Sequence, residues 1–317
     1  MGNKIRVAVI GVGYLGEHHA RIYSQMDGVE LVGVVDVRSE RAAEIAQKYG
    51  CRSYSDPGEL LGAIDAASVT VPTPLHHAVS KRLLSAGVDL LLEKPMAKTL
   101  AEADELVEIA RREKRLLQIG HVERFNPAAQ KLFSLAGDVR FIEAHRIGPF
   151  VERGTDVHVI LDLMIHDIDM VLSLVRSEVA EIRAIGVPVL SENIDIANAR
   201  LAFANGAVAN ITASRVSQER LRKLRLFQPE TYLSLDFQTQ EIVVARRVSD
   251  GAQGEEGKAR ILLDRLVLEK GEPLKEELAA FIGSVKTRTP PLVGGREGRR
   301  ALSVALEVAE RASAGVP

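Results

Sequence analysis

The chain has 317 residues, 46% hydrophobic and 26% charged, with a formal net charge of -2. That length exceeds one ordinary core, so two domains are expected, and the near-neutral balance argues against nucleic acid, whose binders carry a basic excess. The single cysteine, Cys51, excludes an intrachain disulfide and fits a reducing cytoplasm, and no apolar run approaches the roughly 18 residues of a membrane span. The N-terminus passes straight into an apolar strand, leaving no room for a signal peptide. A protein of the cytoplasm is expected.

Through residue 121, short apolar runs alternate with helical patterns. Strands are predicted over 5–10, 31–36, 67–71, 88–92 and 116–119, and helices over 15–26, 39–49, 75–86 and 100–112. This alternation means a parallel sheet with helices on both faces.

The first strand runs into Gly11-Val12-Gly13-Tyr14-Leu15-Gly16 at the opening of a helix. Gly11 permits a tight turn, Gly13 lets backbone approach a pyrophosphate, and Gly16 allows close helix–strand packing. The helix N-terminus offers N–H groups and a positive dipole end to phosphate. Asp36 ends the second strand, twenty residues beyond Gly16, where it can accept from ribose hydroxyls. A carboxylate there repels a 2′-phosphate and selects NAD, with Val37 and Arg38 beside it and Arg38 able to soften the choice. The turn Val71-Pro72-Thr73-Pro74-Leu75-His76 places Thr73, Pro74 and His76 on the nicotinamide side of the expected cleft. Glu93-Lys94-Pro95 follows the apolar run 87–92 and so falls at the carboxyl end of a sheet strand, where ligands of such sheets bind.

After Gly120 the rhythm changes. A helix opens at Asn126-Pro127, with Asn126 as N-cap and Pro127 at the first helical position. A strand over 139–147 and a long helix over 158–175 follow. Strands succeed one another over 182–187, 194–204, 207–214, 221–227, 232–236 and 241–246, which means a mostly antiparallel sheet. The Gly- and Glu-rich stretch 250–258 reads as a mobile surface loop, and helices over 274–287 and 297–312 finish the chain. The expected domains are 1–121 and 122–317, with the helix 297–312 able to pack back on the first.

On the helix 158–175, Asp162 and His166 fall one turn apart on one face with Asp169 alongside. Three readings compete: a satisfied structural pair, metal ligation by His158, Asp162 and His166, and acid–base catalysis. No further His or Cys cluster supports a metal, and none is expected. An imidazole near its ordinary pKa of ~6.5 suits proton transfer. Oxidation of a carbinol needs a hydride acceptor, a base, and a donor for developing oxyanion charge. His166 is assigned as the base, Asp162 as its orienting partner, and Lys94 as the donor or a member of the proton relay, with the final proton acceptor left open between His166 and Lys94.

With these residues in place the chain resembles the Gfo/Idh/MocA oxidoreductases over nearly its whole length. The likeness rests on Gly11–Gly16, Thr73-Pro74-Leu75-His76, Glu93-Lys94-Pro95-Met96-Ala97, the Asp162-x-x-x-His166 helix and the closing segment 295–302. It implies an α/β fold: an N-terminal Rossmann NAD-binding domain plus a C-terminal α+β domain with an open, mostly antiparallel sheet. It also implies Lys94, Asp162 and His166 as the catalytic set. Met164 departs from the family's usual glycine, which narrows the expected pocket.

Within the family, Gly120-His121-Val122-Glu123-Arg124-Phe125-Asn126-Pro127-Ala128 and the stretch 161–174 are similar to enzymes that oxidise the C3 hydroxyl of UDP-N-acetylglucosamine. An aminotransferase then acts on the ketone, and in bacteria the 3-amino sugar feeds lipid A. His121, Arg124 and Asn126 thereby join Lys94, Asp162 and His166 as candidate substrate contacts, set against Glu123-Arg124 as a surface ion pair. Arg215, Arg220, Arg222 and Lys223 are candidate diphosphate ligands, set against a solvated strand edge. The competing functions are a dehydrogenase of another sugar, inositol or a UDP-linked uronic acid, and a non-catalytic NAD or sugar sensor. A sheet face left uncovered within the chain leads us to expect a homodimer or homotetramer.

Overall fold

The computed structural model describes residues 4–150, 157–249 and 259–314. The stretch 250–258 read as a surface loop lies outside them. The chain divides into two compact units, one of residues 1–122 and 272–302 and one of residues 123–271 and 303–317.

The first unit begins β1 (Ile5–Ile10), α1 (Tyr14–Ser24), β2 (Val29–Val35), α2 (Ser39–Tyr49) and β3 (Arg52–Tyr54). It continues β4 (Ala66–Val69), α3 (Thr73–Ser85), β5 (Asp89–Glu93), α4 (Leu100–Arg112) and β6 (Leu117–Gly120). Every strand pairs in parallel, in the order β3-β2-β1-β4-β5-β6. Strand succession reverses between β1 and β4, so the carboxyl ends of those strands frame the ligand crevice. The short edge strand β3 escaped the sequence reading because Arg52-Ser53-Tyr54 is half polar and shows no apolar run.

The second unit begins with α5 (Pro127–Leu135) and β7 (Phe141–Ile147). A π-helical turn, Ile160–Met164, leads into α6 (Ile165–Leu174). Strands β8 (Val179–Val187), β9 (Ile196–Phe203), β10 (Val208–Ser214), β11 (Leu221–Gln228), β12 (Thr231–Asp236), β13 (Glu241–Ser249) and β14 (Ala259–Val267) follow. They form one eight-stranded sheet in the order β14-β13-β12-β11-β7-β10-β9-β8. All neighbours are antiparallel except β7 and β10. The strand β14 was not predicted.

Strand alternation decides which face is covered. Ile142, Ala144 and Arg146 of β7 are buried together with Leu224 and Leu226 of β11 and Ala209, Ile211 and Ala213 of β10, on the face where α6 packs. Phe141, Glu143, His145 and Ile147 lie half-buried on the other face.

The chain ends with α7 (Pro273–Thr287) and α8 (Gly295–Ala314). Leu278, Phe281, Ile282 and Val285 of α7 share a buried cluster with Val9, Tyr23, Val34 and Ile45. Residues 272–302 therefore belong with the first unit, whereas the sequence division placed them in the second and allowed only the helix 297–312 to pack back on the first. A helix of ordinary amphipathic pattern carries no mark of which core it will join. No helix among the described residues is long and apolar enough to cross a membrane.

Candidate active site

The glycine loop after β1 has the geometry its spacing predicts. Gly11 has φ +88°, and a Cβ there would stand 2.9 Å from the Val71 backbone nitrogen. A Cβ on Gly16 would lie 1.9 Å from the Gly11 carbonyl oxygen, so α1 can sit this close to β1 only without one. Gly13 faces open space, with nothing within 4 Å of a Cβ built on it. It is also the N-cap of α1, and no side chain caps that end. An uncapped helix start beside an open glycine is what a diphosphate requires.

Asp36 is buried just past β2 and organises this loop. Its Oδ2 accepts from the Val12 N–H at 3.0 Å and its Oδ1 from the Arg38 N–H at 3.0 Å. An ionised carboxylate has about four acceptor positions, so acceptor capacity remains for ribose hydroxyls. The Arg38 side chain is largely exposed, with Nε 3.4 Å from Asp36 Oδ1. Tyr14, Leu15 and Val37 are exposed apolar side chains of the same loops, Val37 at 89%. Together these groups fit a bound dinucleotide: a phosphate seat, a ribose acceptor and apolar surface beside it.

Thr73 and Pro74 open α3 at the carboxyl end of β4. His76 differs from its expected place in the cleft. It is 1% exposed, and its ring nitrogens lie 2.8 Å from the Pro95 oxygen and 2.8 Å from the Val71 oxygen. Both face backbone carbonyls, so His76 packs between two loops, buried away from the expected cleft. Burial pushes its pKa below the ordinary value, against the two carbonyls and Glu93, which favour the proton. Glu93 ends β5, also buried, with Oε1 3.2 Å from His19 Nε2. Lys94 follows, half-buried, with a cis Lys94-Pro95 peptide. His121, just past β6, is buried.

In the second unit, Asp162 lies within the π turn and His166 in the first turn of α6, both half-buried. The Ile165 N–H reaches the Ile160 carbonyl, an i to i−5 closure that inserts one residue into the turn. Asp169 is buried, with Oδ1 3.5 Å from Arg124 Nη1. The start of this helix is pinned by residue 194: the Val159 N–H donates to the Ile194 oxygen at 2.9 Å, and the Ile194 N–H donates to His158 Nδ1 at 3.1 Å.

Behind His166 lies a buried ion cluster that sequence reasoning missed. The Arg146 guanidinium donates from Nε and Nη2 to Asp167 at 2.8 and 3.1 Å and from Nη1 to Glu123 at 2.8 Å. Burial alone would loosen the Arg146 proton, but Asp167 and Glu123 outweigh it and raise its pKa. Burial lifts the Asp167 carboxyl above its usual range despite Arg146, and Glu123 pushes the same way. The available signal was Arg146 on the inward row of β7, after Ile142 and Ala144, since an inward arginine demands buried acid partners.

Glu123 and Arg124 are accordingly not a surface pair with each other. Arg124 turns to Asp169 and lies over the Phe133 ring, 5.1 Å from its centroid. Asn126 is N-cap of α5 as predicted, its oxygen accepting from the Ala128 N–H at 3.0 Å. Its amide nitrogen donates to the Phe237 carbonyl at 3.2 Å, so this side chain serves the fold rather than a sugar. Arg215 is buried on Asp195 at 2.8 Å and on the Val157 carbonyl, and Lys223 lies 3.7 Å from Asp236. Arg222 is the register neighbour of Arg146 but is exposed, at the end of that row. Partial desolvation and Arg146 lower its pKa, while Glu123 and Asp167 raise it. No group of three or more His, Cys, Asp or Glu among the described residues is arranged to hold a metal ion.

Comparison with known proteins agrees with this architecture. Residues 5–121 match the oxidoreductase family described by its NAD-binding Rossmann fold, and residues 135–230 match the GFO/IDH/MocA C-terminal domain. The chain is 38% identical over 305 residues, 96% of each chain, to UDP-N-acetylglucosamine 3-dehydrogenase of Acidithiobacillus ferrooxidans. A solved structure of that enzyme superposes with a TM-score of 0.91 at 37% identity, covering 98% of each chain. The chain is also 30% identical over 323 residues to myo-inositol 2-dehydrogenase of Thermotoga maritima, covering 94% of this chain and 93% of that one.

Proposed function

This chain belongs to the Gfo/Idh/MocA oxidoreductase family, and on that premise we propose that it oxidises the C3 hydroxyl of UDP-N-acetylglucosamine to the ketone. The observation that carries the reading is the near-full-length likeness to a UDP-N-acetylglucosamine 3-dehydrogenase. The dinucleotide fit of Gly11, Gly13, Gly16 and Asp36 supports the redox half of it.

Bound NAD supplies the hydride acceptor for the C3 hydrogen. His166 takes the hydroxyl proton as the carbonyl forms, and Asp162 orients the imidazole and stabilises its charged form. Lys94 donates a hydrogen bond to the oxygen whose negative charge grows. Asp167, beside His166 in the chain, is held by Arg146 and fixes the first turn of α6. The products are the 3-keto nucleotide sugar, NADH and one proton, which balances the two-electron oxidation. A ketone beside an acetamido group suits a following aminotransferase, which we assign as the next step toward a 3-amino sugar.

For the diphosphate, Arg215 and Lys223 are occupied within the protein, so Arg222 and Arg220 become the assigned cations. The half-buried sheet face carrying Phe141, Phe227 and Tyr232, with ring centroids 5.4 and 5.1 Å apart, is assigned to a second copy of the chain.

The test is NADH absorbance after adding UDP-N-acetylglucosamine with NAD, with a carbonyl-trapping reagent to pull the equilibrium. Free N-acetylglucosamine, myo-inositol and a UDP-linked uronic acid serve as controls, the second because of the inositol dehydrogenase likeness. A signal with the nucleotide sugar is expected. Silence there and a clear signal with any control would sink the proposal.

A further inference from the structure

The residues on either side of Lys94 are each gripped by a buried histidine. His19 lies on α1, one turn beyond the glycine loop, and its ring is fully buried. Its Nε2 stands 3.2 Å from Glu93 Oε1, an ion-pair contact, and neither ring nitrogen makes a well-angled hydrogen bond among the described residues. The Glu93 carboxylate is therefore the group this ring addresses. Burial works to raise the Glu93 pKa, but His19, with Lys94 and His76 adding positive charge, outweighs it and holds the carboxyl below its ordinary value. Gly120 of β6 leaves the carboxylate its room, since a Cβ there would stand 3.0 Å from the Glu93 carboxyl carbon. On the other side of the lysine, the His76 ring nitrogens lie 2.8 Å from the Pro95 oxygen and 2.8 Å from the Val71 oxygen, with the N–H of the neutral ring donating to one of them.

We propose that His19 and His76 are positioning residues for Lys94, and that His19 ties the lysine's strand to the helix that receives the dinucleotide phosphates. The inference rests on the reading of Lys94 as a catalytic group. The physical need is clear from the side chain itself. A lysine has a flexible four-carbon stem, so its aim is no better than the anchoring of its backbone. Catalytic groups must be held within about 0.5 Å of productive geometry, and a misplacement of about 1 Å can lower turnover ~100-fold. His19 removes one freedom by fixing Glu93, and His76 another by fixing Pro95. Because His19 stands on α1, its contact with Glu93 links the helix of the phosphate seat to the strand that carries Lys94.

The test uses the full-length protein and the variants His19→Leu, His19→Gln and Lys94→Ala. Leucine leaves Glu93 without its partner, whereas glutamine restores a neutral donor at similar reach. His19→Leu should lower kcat by about 10-fold or more, with NADH affinity close to that of the parent, and His19→Gln should recover most of the loss. Amide hydrogen exchange over residues 93–97, measured without substrate, should quicken in His19→Leu and not in His19→Gln. Parent-like exchange over 93–97 in His19→Leu, or equal kcat losses in both variants, overturns the proposal. Should His19→Leu not fold, His76→Leu replaces it: leucine donates to neither carbonyl, and unchanged kcat and exchange there overturn the proposal equally. Retained turnover in Lys94→Ala means that the catalytic reading of Lys94 has failed. An inactive Lys94→Ala beside an unaffected His19→Leu means that only the brace has failed.

Discussion

Arg146 grips Asp167 with two parallel hydrogen bonds of 2.8 and 3.1 Å, immediately beside the residue assigned as the base, His166. The arginine comes from the last inward position of β7 and the aspartate from the first turn of α6. Glu123 occupies the remaining side of the guanidinium. One cation thus neutralises two buried acids.

Removing that cation is therefore costly. Arg146→Leu leaves two buried carboxylates without their partner, and breaking a buried pair in this way costs about 3–5 kcal/mol. Urea denaturation should show an unfolding free energy lower by that amount, with an earlier midpoint. Adding Glu123→Gln and Asp167→Asn to Arg146→Leu should recover part of it, because the unpaired charges are then gone.

Lys94→Ala and His166→Ala should each lower turnover by about 100-fold or more if both act on the reacting oxygen and its proton. NADH affinity, read by fluorescence titration, should stay near that of the parent. Near-normal turnover in both variants would show that other residues carry the chemistry.

Asp36→Ala should raise the KM for NAD and narrow the preference over NADP, because the ribose acceptor and the charge that repels a 2′-phosphate are lost together. The variant also frees the Val12 and Arg38 N–H groups that Asp36 accepts from. Paired kinetics with the two cofactors provide the measure.

The His158 ring accepts from the Ile194 N–H through Nδ1, which only the neutral imidazole can do. Burial, and next the Arg215 charge, lower its pKa. The unfolded chain then takes up a proton near pH ~6.5 that the folded chain refuses, so stability falls as pH drops through and below that value. His76 and His145 are also shifted down by burial and act in the same direction. Thermal midpoints should decline from pH 7 to pH 5, and His158→Gln should flatten part of that slope. An unchanged slope in the variant would remove His158 from the account.

Arg222→Ala should raise the KM for the nucleotide sugar well above any change in kcat, because the guanidinium is assigned to the diphosphate and not to the reacting carbon. An unchanged KM would leave the diphosphate with a different partner.

The sequence by itself determined the dinucleotide half of this protein. Gly11, Gly13 and Gly16 are marked by their spacing after a strand, and Asp36 by its place at the next strand end, a pattern that can be read along the chain. The alternation of apolar runs likewise fixed a parallel sheet followed by a mostly antiparallel one. What tertiary structure decided is where buried polar groups find their partners. His76 and Asn126 read as ligand contacts because a polar side chain at a turn looks the same whether it meets solvent, substrate or a distant carbonyl. Arg146 joins Asp167 and Glu123, His19 joins Glu93, and Arg215 joins Asp195 across separations that no local pattern encodes. The π turn at Ile160–Met164 likewise depends on the pinning of Val159 and His158 by residue 194. Burial demands that such groups be paired, but only the folded chain chooses the partner.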